Sequence, residues 1–407
     1  MASIVVHRGT SEIGGSCIEI VSATGERLIL DVGRPLAADR NAVDLLPKSL
    51  DLTGRATVLI CHPHQDHWGL INDIPQSWEV MTGVASSKLI SISARFARAP
   101  VTRDISTWSS RGSFTRGDFR ISPLLTDHSG FDAYMLLVEV DGKRLLYTGD
   151  FRNHGRKGKL VDGTISDPPR DIDVLIIEGT NLGTDKPTVT EHDLEHRFVD
   201  LAQRTPGRLF VTWSAQNVDR TVTLYRAALR ANRTLVVDLY TAEVLEALQG
   251  HLNAPFLGIQ NLKVVLTRSL ASHYRKLGKE TWLNAMAKIG LSAAALEQQA
   301  IVMIRSGSLH RDYMAKGVAP TKDDAFSFSM WSGYLKDQSD LLAWFGSAGS
   351  TIEHIHTSGH ASPATLRRFA AAVAAKQVVP VHGVSWDSEQ SGFGGLVRLK
   401  DGEPLRV

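Results

Sequence analysis

The chain has 407 residues, 43% hydrophobic and 22% charged, a globular balance with room for two or three domains of ~150 residues each. Its net charge of +2 is too small to announce a nucleic-acid surface, so any basic rim has to be local. Two cysteines, Cys17 and Cys61, exclude a disulfide scaffold, and no stretch reaches membrane-spanning length. The opening Ser3-Ile4-Val5-Val6-His7 reads as a strand and not as a secretory leader, which makes the protein cytoplasmic on this reading.

The first sixty residues read as strands separated by glycine turns. Gly14-Gly15-Ser16 leads into Cys17-Ile18-Glu19-Ile20-Val21, and Thr24-Gly25-Glu26 turns the chain into Arg27-Leu28-Ile29-Leu30-Asp31-Val32-Gly33, a hairpin pattern. Asp31 ends an apolar strand just before a glycine. It is either a turn-capping aspartate or a carboxylate that orients a ligand-bearing loop.

The apolar run Thr57-Val58-Leu59-Ile60 then meets Cys61-His62-Pro63-His64-Gln65-Asp66-His67, and Trp68-Gly69-Leu70-Ile71 opens a helix. Three imidazoles and a carboxylate thus crowd one strand-to-helix loop, and these are donors that Zn²⁺ and similar ions prefer. A loop of locally hydrogen-bonded histidines is the plain alternative, but His-x-His-x-Asp-His behind a strand is a spacing that chance seldom produces.

A helix is predicted over 85–98. Asp127-His128-Ser129-Gly130 follows another strand, and a hairpin joins 134–140 to 145–150 through Asp141-Gly142, ending in Tyr147-Thr148-Gly149-Asp150. Asp173-Val174-Leu175-Ile176-Ile177-Glu178 is one more strand that ends in a carboxylate. His128, Asp150 and Glu178 therefore share the strand-end placement of the histidine loop, where separated segments can pool their side chains.

Beyond Pro187 helices alternate with strands: helices over 191–203, 218–231 and 242–248, and strands over 208–211, 234–238 and 262–266. Such a run suggests a parallel-sheet insert. In its second helix Val218, Val222, Tyr225 and Leu229 fall on one face and are expected in the core. The tail returns to strand-loop-helix units. Thr357-Ser358-Gly359-His360-Ala361 precedes a helix with Ser362 as N-cap and Pro363 at its first position, and Val378-Val379-Pro380-Val381 runs into His382-Gly383.

With Asp31, His62, His64, Asp66, His67, His128 and Asp150 in view, the chain resembles the metallo-β-lactamase fold. Glu178, His360 in Ser-Gly-His-Ala and His382 in Val-Pro-Val-His-Gly are similar to the three further motifs of the β-CASP nucleases. The segment from Phe210 to Asn217 resembles the insert of ribonuclease J-type members. The likeness runs over essentially the whole length and implies an α/β fold: a metallo-β-lactamase αββα sandwich in two parts, 1–187 and 350–407, around a β-CASP insert at 188–349. Two departures stand out. The chain stops soon after the last motif, and Arg305-Ser306-Gly307-Ser308 is a loose match to the family's glycine-serine loop.

The resemblance also implies roles. His62, His64 and His128 would hold one metal, Asp66, His67 and His382 the other, and Asp150 would bridge them. The implied cofactors are two Zn²⁺, with Mn²⁺ or Mg²⁺ as activating alternatives. Two such ions ~3.5–4 Å apart generate a hydroxide near neutral pH and clamp an in-line displacement at phosphorus. Asp31, Asp66, Glu178 and His360 form the catalytic set, with His360 as general acid or transition-state stabiliser and Glu178 orienting its ring. Ser358, Gly359, Ala361 and Ser362 are implied contacts to the substrate backbone.

For the substrate, Arg152, Arg156, Lys157 and Lys159 can line one edge of the site, with Arg152 the foremost binding candidate. Arg268, Arg275, Lys276 and Lys279 form a second basic run in the insert; either run can equally be a solvated face. Histidine at the position of His382 resembles RNA-processing members, whereas Artemis-type DNA nucleases carry valine there. The expected activity is a zinc-dependent ribonuclease on single-stranded RNA that leaves 5′-phosphate and 3′-hydroxyl ends, with exonucleolytic and endonucleolytic modes both open. DNA is an alternative substrate, no membrane partner is expected, and a homodimer is compatible with the pattern. A small-molecule thioesterase or lactamase, or a catalytically dead binding subunit, are the competing classes.

Overall fold

The computed structural model describes residues 1–110, 112–185, 187–251, 255 and 257–407. The chain divides into two compact units, one formed by Met1–Thr188 with Gly359–Val407 and the other by Val189–Ser358.

In the first unit the chain runs through β1 (Ser3–Arg8), β2 (Cys17–Val21), β3 (Arg27–Val32), β4 (Thr57–Ile60), α1 (Gln65–Trp68), β5 (Glu79–Gly83), α2 (Val84–Phe96) and β6 (Ser106–Trp108). It continues through β7 (Phe114–Arg116), β8 (Phe119–Leu125), β9 (Tyr134–Val140), β10 (Lys143–Tyr147), α3 (Gly158–Ser166) and β11 (Val174–Glu178).

The second unit is α4 (Glu191–Arg204), β12 (Leu209–Thr212), α5 (Val218–Arg230), β13 (Thr234–Asp238), α6 (Leu239–Ala247), β14 (Leu262–Leu266), α7 (Arg268–Lys276) and α8 (Glu280–Ile289). Then come β15 (Leu291–Ser292), β16 (Ala300–Met303), α9 (Ser308–Met314), β17 (Ala325–Phe328), α10 (Ser339–Ser347) and β18 (Thr351–His354). The chain re-enters the first unit with α11 (Pro363–Val373), β19 (Gln377–Val381) and β20 (Pro404–Arg406).

Two sheets build the first unit, in the orders β20-β1-β2-β3-β4-β5-β6 and β19-β11-β10-β9-β8-β7. Their facing sides share one core, in which Ile4, Ile18, Leu30 and Leu59 from one sheet join Ile121, Leu136, Val174 and Val379 from the other. Ile29, Val58, Trp68 and Ile90 cover the outer face of the first sheet beneath α1 and α2. Leu146, Leu175, Val161 and Phe369 do the same for the second beneath α3 and α11. The architecture is the αββα sandwich of the metallo-β-lactamase fold.

Why short strands suffice is plain at β4, where Val58, Leu59 and Ile60 are all fully buried. Each such side chain contributes ~1.5–3 kcal/mol, which offsets the ordering of the polar loop behind it. The β9–β10 hairpin forms where Asp141 (φ 50°) and Gly142 (φ 73°) both take the left-handed conformation that a two-residue turn of this type requires.

Strand direction decides where the donors meet. β3, β4 and β5 are mutually parallel, as are β10, β11 and β19, so the C-terminal ends within each sheet emerge at one edge. β8 is antiparallel to β9, which is antiparallel to β10, and so it also ends at that edge.

The second unit is a wholly parallel sheet in the order β15-β14-β13-β16-β12-β17-β18. Its far edge moves the expected boundary: β18 pairs with β17 through Ile352↔Phe326, so the segment beyond residue 349 stays in this unit until Ser358. The buried face of α5 also differs from the apolar stripe read in the sequence. Thr221, Leu224, Ala227 and Ala228 are buried, whereas Leu229 is 42% exposed. The cause is Arg220, which the helix turns inward to a bidentate pair with Glu191 (3.0 and 3.2 Å) and to the Ser329 carbonyl (3.0 Å). Two helices, α7 and α8, occupy a stretch for which the pattern suggested only a basic run. Among the described residues no helix is long and apolar enough to cross a membrane.

Candidate functional site

His62 and His64 follow β4, and the single turn α1 carries Asp66 and His67. This loop folds tightly because Gly33 lets the backbone after β3 approach it. A Cβ there would lie 1.7 Å from the Asp66 carbonyl oxygen, so no side chain fits. Ser16 N–H donates to the same carbonyl at 3.0 Å.

Asp150 stands at the centre. Its Oδ2 lies 3.2 Å from His67 Nε2, 3.7 Å from His62 Nε2, 4.0 Å from His128 Nε2 and 3.8 Å from His360 Nδ1. Its Oδ1 lies 3.7 Å from His382 Nδ1. Around it the donors fall into overlapping groups: His62, His64 and His128; Asp66, His67, Asp150 and His382; and Asp150, Glu178, His360 and His382. Within each group the donor atoms lie within 4.8 Å of one another.

Most of these side chains are oriented by a second contact. Asp31, fully buried, accepts from His67 Nδ1 (2.8 Å), Tyr147 Oη (2.7 Å), Cys61 Sγ (3.0 Å) and the Cys61 backbone N–H (2.8 Å). His62 Nδ1 lies 3.0 Å from Cys61 Sγ. His128 Nδ1 donates to the Gly359 carbonyl at 2.6 Å, which leaves Nε2 facing His64 Nδ1 at 3.1 Å. Gly359 is there because a Cβ would sit 2.5 Å from Ser129 Oγ. His382 Nδ1 contacts Thr180 Oγ1 at 2.9 Å, and His360 Nδ1 contacts Glu178 Oε2 at 3.2 Å. Asp31 (φ 62°) and His382 (φ 50°) both hold left-handed backbone, strain of the kind that collects at functional sites.

The charge state suits a divalent ion. Burial, reinforced by the crowd of neighbouring imidazoles, pushes His62 and His128 well below the usual histidine range. Burial brings His64 down to about 4. Three neutral nitrogens are the form that binds metal. Burial would also disfavour charge on Asp66 and Asp150, but the surrounding imidazoles win, holding Asp66 at about 2 and Asp150 well below the ordinary value. Among the described residues, buried His62 Nε2 and Asp150 Oδ1 have no hydrogen-bond partner, and His67 Nε2 faces the Asp150 carboxylate at 3.2 Å. Polar atoms left so in an interior cost ~1–3 kcal/mol each unless something binds them. The donor set therefore fits one or more metal ions.

The structure draws together nine residues read from the sequence as site candidates: His62, His64, Asp66, His67, His128, Asp150, Glu178, His360 and His382. It places Asp31 behind them as a support. Arg152 does not reach a substrate surface. Its side chain is fully buried, with Nε 3.7 Å from Asp127 Oδ1, because folding against that carboxylate satisfies its charge beneath the site. Ala361 points into the core among Leu366, Phe369 and Trp386. Ser362 is a helix cap, its Oγ accepting from Thr365 N at 3.2 Å. Ser358 falls at the last position of the second unit.

Tyr147, Cys61, Thr180 and Asn181 were not singled out from the sequence as site residues. Asn181 donates to the carbonyls of His360 (2.9 Å) and Ala361 (3.1 Å). Each of the four lies within three residues of a candidate site residue, which is the only signal the sequence carried.

Residues 11–196 match the family model described as the metallo-beta-lactamase superfamily, so the chain carries a domain of that superfamily. It is 28% identical over 193 residues to an RNase J-like protein of Methanocaldococcus jannaschii, covering 44% of this chain and 43% of that protein. It is 21% identical over 396 residues to a ribonuclease J of Sinorhizobium meliloti, covering 86% of this chain and 63% of the relative. The chain thus spans 43% and 63% of the lengths of these two curated relatives. A crystal structure of a protein of unknown function from Enterococcus faecalis V583 has the same fold, with a TM-score of 0.81 over 99% of both chains at 18% identity.

Proposed function

We propose that this protein is a metal-dependent phosphodiesterase that cleaves single-stranded RNA, a β-CASP nuclease of ribonuclease J type, leaving 5′-phosphate and 3′-hydroxyl ends. The observation that carries the reading is Asp150, one carboxylate within 4.0 Å of ring nitrogens from five histidines on four segments. The names of the two relatives support RNA as the substrate.

In this reading His62, His64 and His128 would hold one ion and Asp66, His67 and His382 the other, with Asp150 close to both. A pair of Zn²⁺, Mn²⁺ or Mg²⁺ ions bound there supplies a nucleophile at neutral pH and neutralises charge developing on phosphoryl oxygens. The remaining steps belong to the protein. Asp31 and the Gly359 carbonyl each take an Nδ1–H, from His67 and His128, and so direct both Nε2 atoms inward. His360 loses basicity through burial, but Glu178 and Asp150 more than reverse this and bring it up to about 9. Fixed by Glu178 through Nδ1, it delivers its proton to the leaving 3′ oxygen.

The substrate strand contacts the segment Ser358–Ser362 mainly through backbone groups, given what the side chains of Ala361 and Ser362 already do. The decisive assay gives the purified chain a 5′-labelled single-stranded RNA, the same sequence as DNA, and a thioester. Faster turnover of RNA, with 5′-phosphate products, is expected. Preference for DNA would move the protein to the DNA-directed β-CASP enzymes, and thioester hydrolysis alone would make it a small-molecule hydrolase.

A further inference from the structure

Two further imidazoles converge in the second unit, outside the cluster described above. His192 and His196 are i and i+4 on α4, hence neighbours on one helix face. The turn that carries His192 is held by a capping box: Asp193 N donates to Thr190 Oγ1 at 3.0 Å, and Thr190 N donates to Asp193 Oδ2 at 2.9 Å. Both histidines are exposed, yet their Nε2 atoms lie only 3.1 Å apart, with ring planes at 77°.

Exposed side chains on a helix usually diverge to hydrate separately. These two aim the same nitrogen at one point. A neutral pair can share one proton at this distance, one ring donating and the other accepting. The other arrangement that brings two Nε2 lone pairs together is a common ion. Nitrogens at a usual ~2.0–2.1 Å from a zinc-like ion and 3.1 Å from each other subtend roughly 100° at it, between the octahedral and tetrahedral angles.

We propose that His192 and His196 form a second metal site, an exposed two-imidazole chelate for a borderline transition ion of the Zn²⁺, Ni²⁺ or Cu²⁺ class, with water completing the shell. Imidazole donors suit these ions and not Mg²⁺ or Ca²⁺, which take oxygen. The acidic first turn, with Asp193 exposed beside the pair, offsets the positive end of the helix dipole that would otherwise oppose a cation there. A bound ion would clasp consecutive turns of α4 near its N-terminus, where helices open most easily.

The test uses the full chain with its resident metal quantified, titrated with Ni²⁺ alone and then with Mg²⁺ alone, in wild type and in a His192→Gln/His196→Gln variant. Glutamine keeps the helix propensity and removes the chelate. The expected result is one additional Ni²⁺ bound by wild type and absent from the double variant, with at least a tenfold affinity loss in either single variant. Ni²⁺ should raise the melting temperature of wild type by more than that of the double variant, and Mg²⁺ should not distinguish the two. Equal Ni²⁺ stoichiometry and affinity in wild type and double variant would overturn the proposal and leave a hydrogen-bonded histidine pair.

Discussion

The two units treat buried charge in opposite ways. In the second, two buried arginines meet their counter-ions directly: Arg220 with Glu191 and Arg208 with Asp324, both at 3.0 Å. In the first, carboxylates and imidazoles converge on a common centre, where among the described residues His62 Nε2 and Asp150 Oδ1 find no hydrogen-bond partner. Among the described residues, every group of three or more His, Cys, Asp or Glu donors close enough to share an ion lies in the first unit. Pairwise neutrality marks a structural interior. A convergent set with unmet donors marks a place prepared for something else. Each of the following substitutions strains that contrast at a different point.

The largest effect belongs to Asp150→Ala. Removing the shared carboxylate leaves the imidazole crowd with much of its negative charge gone, so bound metal should fall well below that of wild type and cleavage to background. Metal analysis of the purified variant decides it: unchanged metal content with normal turnover would take the centre away from Asp150.

Arg220→Ala makes the converse cut. It strands Glu191 in the interior, and breaking a buried pair on one side costs ~3–5 kcal/mol. Denaturant unfolding should show that loss while the metal content of the folded fraction stays at the wild-type level. Loss of metal without loss of stability would erase the distinction between the units.

This contrast explains what could be read in advance. The histidine loop and the strand-end residues Asp150, Glu178 and His382 were legible because each is a local pattern, an apolar run that stops at a donor. The sandwich follows from the same runs once strand directions are known. Contacts that bridge distant segments were not legible. Gly359 takes the proton of His128 from 231 residues away, and Tyr147 reaches Asp31 across 116. No periodicity encodes either. Arg152 and α5 failed for a related reason. A charged residue reads as solvent-facing until its buried partner, Asp127 or Glu191, is seen beside it.

Glu178→Gln sharpens the centre without emptying it. The carboxylate is buried and touches His360 Nδ1, Thr180 N and Phe151 N at 3.1–3.3 Å, all consistent with holding a ring in place. Cleavage should slow by ~10–100-fold at near-normal metal content. Metal loss in this variant would move Glu178 among the ligands.

Cys61→Ala tests a smaller support. Cys61 Sγ lies 3.0 Å from both His62 Nδ1 and Asp31 Oδ2, so it can accept from one and donate to the other. Through the sulfur, Asp31 would steady His62 as it steadies His67 directly. Chelator competition should show metal held up to ~10-fold less tightly in the alanine variant. Serine should restore part of the loss. With Co²⁺ bound, the absence of a thiolate charge-transfer band would keep sulfur in this supporting role, whereas its presence would make Cys61 a ligand.

The smallest effect is expected at Ser362, at the start of α11. An uncapped helix start presents N–H groups that attract phosphate, which would suit the substrate contact that the family resemblance implies for this segment. The structure leaves less of that end available. Pro363 has no N–H to give, and Ser362 Oγ takes the N–H of Thr365 at 3.2 Å while donating to Thr365 Oγ1 at 3.0 Å. Thr365 Oγ1 in turn donates to Asn153 at 3.0 Å, so the hydroxyls form a closed chain within the first unit. Ser362→Ala should therefore lower stability by the ~1 kcal/mol of a lost cap and leave affinity for a 5′-phosphorylated oligonucleotide unchanged. Melting temperature and affinity need to be measured on the same preparation. A tenfold or larger fall in affinity at an unchanged melting point would return Ser362 to the substrate and make the cap incidental.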